Sequence, residues 1–251
     1  MLIEFVAIPG SGKSHISIEL KKYLQINLHS RDYDIYLGND LLNINTRSNH
    51  PFFSKVERKL KLNFQRFCLL FDFNVLKLLI RILLSKRSIF EKKKVIFFVM
   101  DKLRTYRKIS YIQSIRSGKS IFIIDEGWLH YSDTILNDKI DEIKLFTYFD
   151  LINRIKFFDY ESLNKRYLFI NSSIIKNIER MKKRHKGYPQ LWKKLNEKEI
   201  TLIMQEQLYN NKQKENYINR TRHEKYTIEN NFDEKKYLTV FGRILKDIKG
   251  L

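Results

Sequence analysis

The chain has 251 residues, of which 48 are Lys or Arg and 28 are Asp or Glu, giving a formal net charge of +20. With 43% hydrophobic positions and only 8 Gly and 3 Pro it can build its own core, which excludes a wholly disordered chain, a repeat array or a linker-rich assembly. The single cysteine, Cys68, excludes an internal disulfide or a cysteine-rich zinc site, and a reducing, cytoplasmic setting is the expectation.

Met1 to Ile8 is apolar but carries Glu4 and lacks a basic leader or a small-residue cleavage site, so it is read as a strand and not as a signal peptide. The turn Pro9-Gly10-Ser11-Gly12-Lys13-Ser14 follows, and a helix is expected from His15 to Ile26 with Ile16, Ile18, Leu20, Tyr23 and Leu24 as its apolar positions. Strand, glycine turn and helix in that order are the context of a phosphate-binding loop, usually Gly, four residues, then Gly-Lys-Ser/Thr; here Ala7 stands at the first glycine. The chemistry survives that change, because the backbone N–H groups of Gly10 to Ser14 converge on an anion at a helix N-terminus. In such a loop Lys13 reaches the β- and γ-phosphates and the Ser14 hydroxyl ligates Mg²⁺, with Pro9, Gly10, Ser11, Gly12 and His15 completing the nucleotide-binding set. The competing reading, an ordinary turn, does not explain the apolar strand before it and the amphipathic helix after it.

Phe52 to Ile115 is rich in Leu, Ile, Phe, Lys and Arg, has no Gly or Pro, and fits two to four amphipathic helices. Its most apolar part, Phe67 to Leu84, is interrupted by Asp72, Asn74, Lys77 and Arg81; each charge near the centre of a membrane span costs about 2.5 to 3.5 kcal/mol, so no spanning helix is assigned. Arg104 and Arg107 lie where they can overhang an acceptor pocket, although solvated surface is the simpler reading of any one cation here. A peripheral membrane contact through Phe64, Phe67, Leu70, Phe71, Phe73 and Leu76 with Lys77, Lys86 and Arg87 is a further reading, against which core packing explains the same positions.

Ser120 to Gly127 is a second signal. Ile121 to Ile124 form the apolar run of a strand buried on both faces, and Asp125 and Glu126 follow at its carboxyl end, where parallel sheets place ligands. Asp125 can hold the Mg²⁺ shell, and either acid can accept a proton from an acceptor hydroxyl; read alone, the pair is an ordinary cap or turn. Tyr167 to Ile170 is a further strand, Asn171-Ser172-Ser173 a cap, and Ile174 to Lys183 a helix from which Arg180 and Arg184 point the same way, one turn apart. After a basic stretch from Lys186 to Arg222, Lys225 to Glu229 reads as a last strand and Asp233 to Lys249 as a closing amphipathic helix. Alternating strands and helices imply right-handed crossovers and a mostly parallel sheet.

These pieces, Ala7 to Ser14, Ile121 to Gly127 and Tyr167 to Arg184, resemble the P-loop NTPase superfamily and, within it, the nucleoside and nucleotide kinases that include thymidylate-kinase-like proteins. Where thymidylate kinases carry an Asp-Arg-Tyr type motif, this chain has Asp125-Glu126-Gly127-Trp128. The resemblance implies a three-layer α/β/α P-loop fold with a mostly parallel sheet and a helical insertion: one domain over residues 1–251, an insertion at 41–117 and a lid and basic helical region at 182–222. It also implies that Asp125 or Glu126 faces metal and acceptor, and that Arg180 and Arg184 grip ATP across a lid from Lys182 to Pro189.

The expected activity is an ATP- and Mg²⁺-dependent phosphotransferase acting on a small-molecule acceptor, a nucleoside, nucleotide or sugar-linked molecule, with Lys13, Asp125, Glu126, Arg180 and Arg184 as the catalytic set. The alternative is an ATPase or nucleotide switch serving a membrane, protein or nucleic acid. No helix-turn-helix, zinc finger or RNA-recognition motif is visible, so dedicated nucleic acid binding is not expected. His15, His130 and His185 lack metal-ligand spacing and are read as surface groups or groups behind the site.

Overall fold

A computed structural model describes residues 1–30, 32–43, 70–115, 119–136, 139–156, 158–183, 187–189, 192–230 and 234–250. Arg184, His185 and Lys186 of the expected lid, and the part of the insertion that holds Phe64 and Phe67, lie outside the described residues.

The protein is a three-layer α/β/α fold. Five strands, β1 (Leu2–Ala7), β2 (Tyr33–Leu37), β3 (Lys119–Ile124), β4 (Lys165–Asn171) and β5 (Glu224–Glu229), form a sheet in the order β2-β3-β1-β4-β5. Every pairing is parallel, with Leu2 opposite Phe122 on one side and Lys165 on the other. β1 is buried along its whole length and alternates between two cores. Ile3, Phe5 and Ala7 meet helices α1 (Lys13–Asn27) and α9 (Glu234–Lys249) through Ile16, Leu20, Leu24, Phe241 and Ile244. Leu2 and Val6 face the opposite layer, built from α3 (Phe73–Leu84), α4 (Ile89–Ile115), α6 (Glu142–Asn153) and α8 (Glu197–Asn219). Between them run the short helices α2 (Gly38–Asn43) and α5 (Ser132–Leu136), and α7 (Ile174–Lys183) follows β4.

The helix starts follow local chemistry. Asp72 caps α3 by accepting from the backbone N–H of Asn74 at 2.8 Å and Val75 at 3.3 Å, and its second oxygen takes the Lys156 N–H at 2.7 Å. Asn196 and Glu199 form a reciprocal capping box on α8. α3 buries Val75, Leu78, Leu79 and Ile82 but leaves Phe73, Ile80, Leu83 and Leu84 exposed. No helix among the described residues is long and apolar enough to cross a membrane.

β2 is an addition to the sequence reading, which assigns no strand there. Tyr33–Leu37 is an edge strand whose five residues are only half-buried, so it lacks the apolar run that marks β1 and β3.

The central strand carries a buried acid. Glu4 is fully buried on β1, where its carboxylate accepts from the hydroxyls of Tyr106 and Tyr160, the latter at 2.9 Å, and lies 3.5 Å from the N–H of Leu129. Tyr160 and Tyr167 share a further hydroxyl contact at 3.2 Å. Burial pushes the Glu4 carboxyl above its ordinary value, and the hydroxyl and N–H donors oppose that rise. The same carboxylate occupies the space beside Gly127, where a Cβ would stand 2.2 Å from Glu4 Oε2. β1 is thereby keyed to the loop that follows β3.

Two outcomes follow. In the folded state Glu4 keeps a proton that the unfolded chain has released above about 4.5, so its stabilising contribution is full below that pH and is lost as pH rises towards the higher folded value. The penalty of Glu4→Gln, read from urea midpoints, should therefore shrink between pH 5 and pH 8; a growing penalty would mean that the tyrosines hold Glu4 as an anion. Gly127→Ala should cost about 1–3 kcal/mol by overpacking, and less in a Glu4→Ala background, which a double-mutant cycle would measure.

Candidate functional site

The site forms where the chain leaves β1 and β3. After Ala7 it turns through Gly10 and Gly12, which have φ of 81° and 86°, and enters α1 at Lys13. Positive φ selects glycine at both positions, and packing adds a second reason. A Cβ on Gly10 would lie 2.7 Å from the Asn177 carbonyl oxygen of α7, and one on Gly12 would lie 2.8 Å from Asn230 Nδ2. The outer side of the loop is tied by its carbonyls: the Asn230 amide donates to Ser11 O, and the Arg180 guanidinium donates to Gly10 O at 3.1 Å and Asn230 O at 3.2 Å. The N–H groups of His15 and Ile16 donate to the Gly12 carbonyl at 3.0 Å, those of Lys13 and Ser14 have no acceptor within the helix, and the α1 dipole adds positive potential at the same place.

The loop after β3 supplies the facing groups. Lys13 Nζ lies 2.9 Å from His130 Nε2 and 3.5 Å from Glu126 Oε1. The Ser14 hydroxyl reaches Asp125 Oδ2 at 3.4 Å, and the Tyr131 hydroxyl donates to Glu126 Oε2 at 2.6 Å. Since the lysine ammonium is a donor, His130 accepts at Nε2 and carries its proton on Nδ1, an enclosed atom with no partner among the described residues.

A second lysine braces this loop from α8. Lys214, whose side chain is 1% exposed, donates to the His130 carbonyl at 2.7 Å and pairs with Asp133 at 3.1 Å. Lys102 of α4 lies over the Tyr131 ring at 5.9 Å from its centroid. Burial depresses the pKa of Lys13, Lys102 and Lys214, and their nearby carboxylates oppose the shift. Burial, then the charges of these three lysines, pushes His130 well below the ordinary histidine value, so the imidazole is neutral at physiological pH. Three crowded ammonium groups and unpaired helix amides make a place that favours an anion.

Above the loop opens a cavity of about 850 Å³. Pro9 to Ser14 and Glu126 line it; Asp125 meets the site through Ser14. Two residues of the sequence-derived set stand apart: His15 is exposed on α1, and Arg180 grips the outer side of the loop, neither being among the described lining residues. The sequence reading takes His130 as a surface group or one behind the site; it is half-buried against Lys13. That reading gives no role to the braces Lys102, Lys214 and Asn230. Lys214 left one trace: on α8 it falls in register with buried Asn210, Tyr217 and Ile218, a lysine on an apolar stripe. Arg104, for which solvated surface is the simpler sequence reading and a place over the pocket the alternative, pairs with Asp101 on its own helix at 3.3 Å.

The oxygens of Ser14 and Asp125 converge as a two-donor set, which suits a hard cation that keeps water and takes further ligands from phosphate. Among the described residues no group of three or more His, Cys, Asp or Glu could hold a metal by itself.

No protein-family model matches the chain, and no curated protein matches it in sequence. Solved structures do resemble it. A thymidylate kinase from Ehrlichia chaffeensis is 12% identical over 99% of this chain and 98% of its own, with a TM-score of 0.49. A deoxyadenosine kinase from M. mycoides with bound dCTP is 16% identical over the whole of both chains, with a TM-score of 0.45. Kti12 from Chaetomium thermophilum, in complex with ADP-AlF3, is 14% identical over 97% of each chain, with a TM-score of 0.39.

Proposed function

We propose that this protein is an ATP- and Mg²⁺-dependent phosphotransferase acting on the hydroxyl of a small-molecule acceptor. The observation that carries the reading is the position of Lys13, at the mouth of a glycine loop and helix N-terminus, within reach of Glu126 and His130 across one cavity. Backbone amides at that end of α1 receive the phosphates, and Lys13 exchanges His130 and Glu126 for the β- and γ-phosphate oxygens. That exchange gives a desolvated ammonium the phosphate oxygens as partners. Ser14 and Asp125 are the residues that would hold Mg²⁺, which supplies charge neutralisation when bound.

Glu126 lines the cavity and, once Lys13 has moved, is held by Tyr131 alone, so it is the group placed to take the acceptor proton. The acceptor oxygen forms a bond to the γ-phosphorus while the bond from phosphorus to the β–γ bridging oxygen breaks. The electron pair leaves with ADP, and the hydroxyl proton passes to Glu126. Arg180 acts on the loop through Gly10 O and the Asn230 carbonyl, keeping the amides aimed inward. The role of Arg184 is carried by the family resemblance alone.

The test is transfer of labelled γ-phosphate from Mg-ATP to pooled nucleosides, nucleotides and sugars. Lys13→Ala should lower transfer by about 10²-fold or more with an unchanged melting curve, because the lost ammonium is desolvated in the free protein. Full activity in that variant would remove the assignment. Glu126→Gln should lower kcat by about 10²-fold or more while leaving KM for ATP nearly unchanged. Free phosphate released without any acceptor, and lost in Lys13→Ala, would instead identify an ATPase.

A further inference from the structure

α3 is apolar on two sides. Val75, Leu78, Leu79 and Ile82 are buried in the core, and opposite them Phe73, Ile80 and Leu84 line up at i, i+7 and i+11, with Leu76 and Leu83 beside them, all exposed. A helix on a protein surface ordinarily turns polar residues to water on that side. Past the turn of residues 85–88 come Ile89 and Phe90 at the start of α4, and the exposure peaks on either side of this turn, at 80% for Leu84 and 86% for Ile89. Core packing, the simpler sequence reading of this stretch, accounts for Leu70, which packs against the core; it does not account for these seven residues. Apolar surface of this extent marks a place where something docks.

The charges around it say what. Residues 70–98 carry five lysines and two arginines against two acids. Both acids are engaged: Asp72 caps α3, and Glu91 accepts from the Ser88 N–H at 3.0 Å and the Ser88 hydroxyl at 2.9 Å. Lys77 and Arg81 follow one edge of the α3 stripe, a turn apart. Lys77 Nζ stands 4.6 Å from the centroid of the Phe73 ring and Lys94 Nζ 4.2 Å from that of Phe90, so these ammonium groups border the apolar surface while their stems extend it.

Aromatic and aliphatic side chains bordered by lysines are what a membrane-surface helix presents: the first enter the acyl boundary and the second meet anionic headgroups. A second copy of this chain fits less well, because the face would meet its own cations. A protein partner fits less well because lysine is depleted where protein surfaces associate.

We propose that the exposed face of α3, with the turn into α4, docks on an anionic lipid surface, Phe73, Ile80, Leu84, Ile89 and Phe90 entering it and the flanking lysines meeting its headgroups. None of these residues lines the cavity. Arg87, in the turn, donates to the carbonyl of Thr134 at the cavity's edge, so the docked face holds that edge beside the lipid.

The experiment is co-sedimentation of the full chain with vesicles of phosphatidylcholine alone and of phosphatidylcholine with phosphatidylserine at about three to one, at rising salt. Binding should be about tenfold or more tighter to the anionic vesicles and should weaken as salt rises. A strongly cationic protein can also adsorb to such vesicles through its overall charge, so the deciding variant is neutral: Ile80→Ser combined with Leu84→Ser, both at exposed positions, should weaken binding about tenfold or more while the melting temperature holds. Equal binding by this variant would assign the attraction to net charge and overturn the proposal, as would a failure of the unaltered chain to bind anionic vesicles. Self-association of the lipid-free chain in sedimentation velocity, abolished by the same variant and accompanied by no vesicle binding, would assign the face to a second copy and overturn it as well. The phosphotransferase reading stands under each of these results, since γ-phosphate transfer by the variant is measured without lipid.

Discussion

The strand order places β1 between β3 and β4, and the chain leaves β1 and β3 on opposite faces of the sheet. From β1 it passes through α1 towards β2 on one side; from β3 it passes through Trp128 and Leu129 into the other layer on its way to β4. Right-handed crossovers in opposite directions cannot close over the same strand ends, so a crevice opens at their carboxyl ends. The glycine loop enters that crevice from one side and the Asp125 to Tyr131 segment from the other. Lys13, Ser14, Asp125, Glu126 and His130 meet there because the topology leaves them no other place.

Within that frame the buried carboxylate of Glu4 sets the fit between the two halves. A carboxyl group in a core is costly unless its oxygens are bonded; the hydroxyls of Tyr106 and Tyr160 both donate to Oε1, and burial favours the protonated form. Its position against Gly127 and the Leu129 N–H fixes how closely the β3 loop approaches β1. Lys214 holds the far end of the same loop through the His130 carbonyl and Asp133. Glu126 and His130 are thus clamped between two buried polar residues, one on the central strand and one on α8, which hold the loop facing Lys13.

The electrostatics of the site have the same origin. Three lysines from three elements converge on Asp125, Glu126 and Asp133 and on a neutral imidazole, and burial lowers the pKa of each lysine. Such an arrangement is unfavourable by itself and is relieved by an anion, so rigidity and ligand preference come from one cluster. Arg180 illustrates the division of labour: its charge is directed at the carbonyls of the loop, so it orders the cradle instead of filling it.

The pairing of Lys13 and Ser14 with Asp125 and Glu126 was legible in the sequence, because a glycine turn between an apolar strand and a helix, and an acidic pair closing another apolar strand, are local patterns with fixed structural consequences. β1, β3, β4, β5 and the helices after Gly12 and Asn171 were legible for the same reason, since burial on one or both faces writes a period into the residues. β2 left a weaker mark because an edge strand is half-solvated and needs no apolar run. The partnership of His130 with Lys13, the bracing by Lys214 and Asn230 and the turning of Arg180 towards the loop carbonyls were decided only by the tertiary structure. Each joins residues from 50 to 219 positions apart. Periodicity records which face of an element is buried; which side chain stands opposite it depends on strand order and helix packing, which no local pattern carries.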